Sequence, residues 1–170
     1  KLASNENPLG CSDKVKEAVA AELTEIGRYP DGGGFILKDQ VHAQFGVAHN
    51  CITLGNGSND LLEIFARAFV SSSDSVVYSQ HAFAVYGLVT QAINAEAIEV
   101  LAKGFSHDLD AMAKAIKANT KLIFIANPNN PTGTWFEEAE FDAFMQKVPA
   151  NVIVVLDEAY VEYYPENFNS

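Results

Sequence analysis

The sequence predicts an α/β fold in which a largely parallel sheet is covered by helices on both faces. Short apolar runs at residues 75–78, 97–101, 121–126 and 152–156 alternate with stretches whose apolar residues recur at helical spacing. Strands that alternate with helices favour parallel pairing, because each crossover helix returns the chain to the same end of the sheet. A composition of 48% hydrophobic and 19% charged residues over 170 positions belongs to a core-forming globular domain.

Residues 1–10 carry Asn5, Glu6, Asn7 and Pro8 without periodicity and are expected to form an extended arm. Ser12 is placed to cap a helix whose apolar face is Val15, Val19, Leu23 and Ile26, with Gly27 and Pro30 ending it. Residues 31–34 read as a loop, and Leu37, Val41 and Phe45 mark a second helix up to Gly46. Leu61, Leu62, Phe65 and Phe69 line a helix starting near Ser58, followed by the strand at 75–78. A helix over 83–93, the strand at 97–101 and a helix marked by Leu109, Met112 and Ile116 come next. The strands at 121–126 and 152–156 enclose a helix near 137–147. Residues 1–30 are expected to form an arm and helix, and 31–170 part of the sheet-bearing domain.

The net charge of −11 argues against binding nucleic acid or an anionic membrane, since both surfaces repel an acidic protein. Cys11 and Cys51 stand alone, so neither a disulfide framework nor a metal site is expected. No apolar run approaches the roughly 20 residues that span a bilayer, and the polar beginning is unlike a signal peptide. A cytoplasmic location is the expectation.

Two strands deliver chemistry at their carboxyl ends. Residues 127–133 read N-P-N-N-P-T-G directly after one apolar run, and residues 157–160 read D-E-A-Y after another. Open α/β sheets bind ligands in the crevice outside those ends. The amide of Asn130, the carboxylate of Asp157 and the phenol of Tyr160 together suit one flat heteroaromatic ligand. Taken singly, each has a plainer explanation: a helix cap for Asp157, a turn residue for Asn130, a core aromatic for Tyr160. Gly57, Ser58 and Asn59 sit where a loop becomes a helix, which is either an ordinary N-terminus or a cradle for a phosphate.

With three further segments, L-A-S-N-E-N-P-L-G at 2–10, R-Y-P-D at 28–31 and G-N-G-S at 55–58, the chain resembles the pyridoxal-phosphate-dependent aminotransferases of fold type I. Within that group it is most similar to the histidinol-phosphate aminotransferases. The resemblance implies the large domain of that fold, with an N-terminal arm and helix from the small domain, and pyridoxal 5'-phosphate as cofactor. It puts Asp157 against the pyridine nitrogen, where a carboxylate keeps the ring protonated and electron-withdrawing. Asn130 and Tyr160 would donate to the phenolate oxygen, and Gly57, Ser58 and Asn59 would hold the phosphate. The family usually carries Asp at the position of Asn59. Phe83 would stack on the ring, where many relatives have Tyr; Tyr86 is a second aromatic on that segment. Tyr29 would reach the phosphate bound in the partner subunit of a homodimer, although beside Pro30 it also reads as a turn residue. Asn7 would face substrate.

The reaction implied is transfer of an amino group between L-histidinol phosphate and 2-oxoglutarate in histidine biosynthesis. Relatives acting on aromatic amino acids, or decarboxylating threonine phosphate, share these motifs. A non-catalytic aminotransferase-like binding or regulatory domain is the alternative from another class. Transamination also needs a lysine as nucleophile and base. In the family this lysine lies downstream of the D-E-A-Y strand, and no lysine follows Lys147. This chain is therefore expected to hold no catalytic residue of its own, to be the central part of a longer enzyme and to be inactive alone. Lys38 and Lys147 are expected as surface charges, and His42, His49, His81 and His107 at surface or capping positions.

Overall fold

The computed structural model describes residues 5–164 and divides into two units, Lys1–Ile52 and Thr53–Ser170. The first four residues of the expected arm and the last six of the expected sheet-bearing domain lie outside the described residues. The boundary expected after residue 30 falls inside the first unit.

In the first unit, Ser12 accepts a hydrogen bond from the Val15 N–H (3.4 Å) and opens helix α1, Asp13–Glu22. The α-helix ends at Glu22, and a 3-10 turn, Leu23–Glu25, carries the chain on. The apolar face is there, but Val15, Val19, Leu23 and Ile26 are all exposed. Helix α2, Phe35–Phe45, stops at Gly46, whose φ of 71° is left-handed and whose N–H bonds the His42 carbonyl. None of the described residues up to Ile52 is buried.

The second unit contains the alternating elements: α3 Gly57–Phe69, β1 Ser75–Ser79, α4 Val85–Ala92, β2 Glu96–Val100, α5 Leu109–Lys114, β3 Thr120–Ala126, α6 Glu138–Met145 and β4 Ile153–Asp157. The four strands form one parallel sheet in the order β2-β1-β3-β4. Passing from β2 to β3 therefore means crossing β1, which puts the switch in winding between β1 and β3. Central strand β3 is buried from Leu122 to Ala126 and splits its side chains by parity, as the two-residue repeat of a strand requires. Leu122, Phe124 and Ala126 join Leu62, Ala66, Val76, Tyr86 and Val89 in one core cluster, which packs α3 and α4 against the sheet. Ile123 and Ile125 join Val77, Met112 and Phe144 in the other, under α5 and α6. Asp108 caps α5 by accepting from the Ala111 N–H (2.9 Å), and Glu137 with Glu140 forms a capping box at α6.

Sequence and structure differ in detail at the helix ends. The helix expected from Phe83 begins at Val85, because Phe83 and Ala84 instead form a turn closed by the Tyr86 N–H on the Phe83 carbonyl (3.1 Å). Phe69 is half exposed rather than buried, and Ala66 takes the core position on α3. Among the described residues, no helix is long and apolar enough to cross a membrane, and no group of three or more His, Cys, Asp or Glu is arranged to hold a metal.

Candidate functional site

β3 and β4 run in register up to Ala126 and Asp157, so both strands end at the same edge of the sheet. The Asn127 N–H bonds the Asp157 carbonyl (3.0 Å) and extends the ladder by one residue. Beyond this point the chain turns away, and a cleft of about 280 Å³, partly continuous with solvent, opens at the strand ends. Its lining is Ser58, Phe83, Ala126, Pro128, Asn130, Asp157, Ala159 and Tyr160. Five residues singled out from the sequence, namely Ser58, Phe83, Asn130, Asp157 and Tyr160, thus share one cavity although they come from four separate segments.

The loop carrying Asn130 is held by two neighbouring amides. Asn127 is buried and clasps Phe136 at two points, its Nδ2 donating to the carbonyl and its Oδ1 accepting from the N–H, each at 3.1 Å. Asn129, also buried, donates through Nδ2 to the His81 carbonyl (3.0 Å) and to Thr132 Oγ1 (2.8 Å). The peptide bonds before Pro128 and Pro131 are cis. Sequence reasoning passed over Asn127 and Asn129. The run of three Asn among prolines was the available signal, since amides bond their own turns.

Gly57 opens α3 with a φ of 75°, and its N–H bonds the Gly55 carbonyl (2.9 Å). The first-turn N–H groups of a helix have no carbonyl partner within it, and the 13-residue α3 directs its positive dipole end here. Ser58 borders the cleft; Gly57 and the exposed Asn59 are not part of its lining. Phe83 reaches the cleft from the segment between β1 and α4.

Asp157 is held at both oxygens. Tyr86 donates its hydroxyl to Oδ2 (3.0 Å) and the Ala159 N–H donates to Oδ1 (3.2 Å). Tyr86 is fully buried, and its ring lies 4.9 Å from that of Phe124 at an interplanar angle of 8°. Burial pushes the Tyr86 phenol well above its ordinary value, and the negative charge of Asp157 adds to the effect. The sequence marked Tyr86 only as an alternative ring-stacking aromatic, whereas it is the partner of the acid.

Tyr29 and Asn7 belong to the first unit. Tyr29 is wholly exposed, and Asn7 caps its own turn, donating to the Gly10 carbonyl (3.1 Å) and accepting from the Leu9 N–H (3.0 Å). His107 departs from the expected surface or capping role. Its Nε2 donates to the carbonyl of Ala126 (2.8 Å), Nδ1 is buried with no hydrogen-bond partner among the described residues, and burial pushes the imidazole below its ordinary value. Lys147 is an exposed charge paired with Asp110, as expected.

Comparison with known proteins bears on the family and the fold. The family model for aminotransferase class I and II matches residues 1–170. The chain is 59% identical over 167 residues to histidinol-phosphate aminotransferase 1 of Idiomarina loihiensis, covering 98% of this chain and 46% of the relative. It is also 59% identical to histidinol-phosphate aminotransferase 2 of Pseudomonas fluorescens, over 96% of this chain and 44% of the relative. It superposes on the crystal structure of histidinol-phosphate aminotransferase from Sinorhizobium meliloti in complex with pyridoxal-5'-phosphate, with a TM-score of 0.92 and 26% identity, over 97% of this chain and 45% of that one. The chain spans about half the length of the curated relatives it matches. Match along the whole chain and identity near three-fifths leave one assignment: the chain belongs to the aminotransferase class I and II family.

Proposed function

We propose that the protein containing this chain transfers an amino group between L-histidinol phosphate and 2-oxoglutarate, with pyridoxal 5'-phosphate as cofactor. The observation that carries this is the convergence of Ser58, Phe83, Asn130, Asp157 and Tyr160 on one cleft at the carboxyl ends of β3 and β4. The donor set fits the cofactor: an aromatic face, an anion, an amide, a phenol and a helix N-terminus match a flat cationic heterocycle bearing a phenolate and a phosphate.

Bound pyridoxal phosphate supplies an electron-withdrawing ring that stabilises negative charge on the substrate's α-carbon. Asp157 would hold the proton on the ring nitrogen, which keeps the ring in its electron-withdrawing form. Asn130 and Tyr160 would donate to the phenolate oxygen, and Phe83 would stack on the ring face. The first turn of α3, at Gly57, Ser58 and Asn59, would take the phosphate through main-chain N–H groups, which the change from the family's usual Asp at 59 leaves intact. Tyr29 would complete the phosphate site of a partner subunit in a homodimer, and Asn7 would face substrate. The nucleophilic lysine would come from sequence beyond β4. The enzyme would work in the cytoplasm, with residues 1–30 in the smaller domain.

Reconstitution of the full-length protein with pyridoxal phosphate should give a visible absorption band that borohydride removes. An amino-donor panel should then rank L-histidinol phosphate first. Absence of the band sinks the cofactor assignment, and an equal or higher rate with phenylalanine overturns the substrate.

A further inference from the structure

We propose that Tyr86 is a positioning residue, whose hydroxyl fixes the rotation of the Asp157 carboxylate so that a free oxygen lone pair meets the cofactor's ring nitrogen. The inference rests on the pyridoxal-phosphate assignment above and adds to it a residue that never touches the ligand. A buried tyrosine hydroxyl must find a partner, and a seat against Phe124 with no polar role would be filled as well by phenylalanine. The partner here is neither main chain nor a structural side chain; among the described residues it is the one carboxylate lining the cleft, 71 positions later in the sequence.

A carboxylate has about four acceptor positions. The Tyr86 hydroxyl takes one on Oδ2 and the Ala159 N–H takes one on Oδ1. With a donor on each oxygen the group cannot turn about its terminal bond without losing a charge-assisted bond, and the remaining lone pairs are offered to a ligand. Burial and the neighbouring anion push the Tyr86 phenol well above its ordinary value, which favours the protonated form that donates to Asp157. Tyr86 cannot move aside either, because Phe124 stacks on its ring and its N–H bonds the Phe83 carbonyl. Its ring also meets that of Phe83 edge-on, at 6.0 Å and 88°, so one side chain sets the acid and braces the stacking residue together.

The test is equilibrium binding to the full-length protein of pyridoxamine 5'-phosphate and of its analogue with the ring nitrogen replaced by C–H. Tyr86→Phe should weaken the nitrogen-containing ligand by roughly tenfold, a loss on the scale of one hydrogen bond to a charged group. It should change the carbon analogue by less than about twofold, since nothing there meets Asp157. In an Asp157→Asn background, Tyr86→Phe should cost the nitrogen ligand no more than that same factor. Equal losses for both ligands, or an undiminished loss beside Asp157→Asn, would show a merely structural role and overturn the proposal while leaving the cofactor assignment intact. Failure of the unaltered protein to bind pyridoxamine phosphate overturns the cofactor assignment and this inference with it. Tyr86→Trp, which retains a buried aromatic but misplaces the donor, should reproduce the ligand dependence if Tyr86→Phe does not fold.

Discussion

Asn129 donates through Nδ2 to the carbonyl of His81, 3.0 Å away, and so ties the loop after β3 to the loop after β1. These two loops flank the switch point of the sheet, and each supplies one wall of the cleft, through Asn130 and Phe83. Asn129→Ala removes this tie and the bond to Thr132 Oγ1 from a buried position. The expected loss of stability is about 1–3 kcal/mol, measured by urea unfolding. Ligand affinity should fall as well, because Phe83 and Asn130, the residues proposed to stack on the ring and to donate to it, are no longer held in register. A change within about 0.5 kcal/mol would mean that the clasp is not needed to hold the loops.

Phe124 stands behind the site on the central strand, wholly buried and stacked on Tyr86. Phe124→Ala should destabilise by about 3–5 kcal/mol through lost burial and the cavity left behind. Thermal or urea unfolding reads the stability loss. Ile123, one residue earlier, faces the opposite core. Ile123→Ala should also destabilise, by about 2–5 kcal/mol, yet leave ligand affinity nearly unchanged. Equal effects on affinity from both substitutions would contradict a coupling that runs through the Tyr86 side of the sheet.

Most of the fold is legible because the strands are unambiguous. The apolar runs at 121–126 and 152–156 become β3 and β4 within one residue at each end: the buried central strand β3 has to be apolar on both faces, and the half-buried edge strand β4 is an unbroken apolar run up to Asp157. The face of Val15, Val19, Leu23 and Ile26 is equally visible, but periodicity marks a surface without naming what covers it, and here it is exposed. Of the cleft residues, Asn130, Asp157 and Tyr160 could be read from chemistry at strand ends and Ser58 from a loop that becomes a helix, whereas Phe83 came only from the family resemblance. The Tyr86–Asp157 bond could not, because no local rule links side chains so far apart in sequence, and a tyrosine on an apolar segment looks like any core aromatic. The place of His107 is illegible for a similar reason: a lone histidine before a helix gives no sign that β3 ends against it.

That histidine gives a pH prediction. Burial holds the His107 imidazole below its ordinary value near 6.5, and the hydrogen bond to Ala126 offsets this only in part. Well above that value the imidazole is neutral in both folded and unfolded chains, so it adds no pH dependence. As pH falls through about 6.5 the unfolded chain takes up the proton first, and stability declines until the folded form also protonates. His107→Gln keeps a donor for Ala126 and removes the titration, so unfolding free energies should fall less between about pH 7 and about pH 5.5 than in the unaltered protein. Following the ring protons by NMR should give a midpoint below 6.5. A midpoint at or above that value, or equal slopes in the two proteins, would refute the assignment.

Gly57 separates backbone strain from crowding at the start of α3. A Cβ built there meets nothing within 4 Å, yet φ is 75°, in the left-handed region that ordinary L-residues avoid. Gly57→Ala should therefore cost about 1–2 kcal/mol from conformation alone, with no clash. Gly57→Asn, equally free of clashes at Cβ, should cost less, because the Asn side chain tolerates this region. Gly55, two residues earlier, presents the opposite case. Its φ is not left-handed, but a Cβ there would lie 3.0 Å from Leu61 Cδ2 and 3.2 Å from Asp60 Cβ. At Gly55, Ala should be tolerated better than Asn, because each added atom needs space that Leu61 and Asp60 fill. Urea midpoints for the four variants decide the matter: Asn above Ala at 57 and Ala above Asn at 55 is the expected pattern. The same order at both positions would mean that φ does not govern how α3 begins, and the phosphate cradle proposed for its first turn would lose its structural basis.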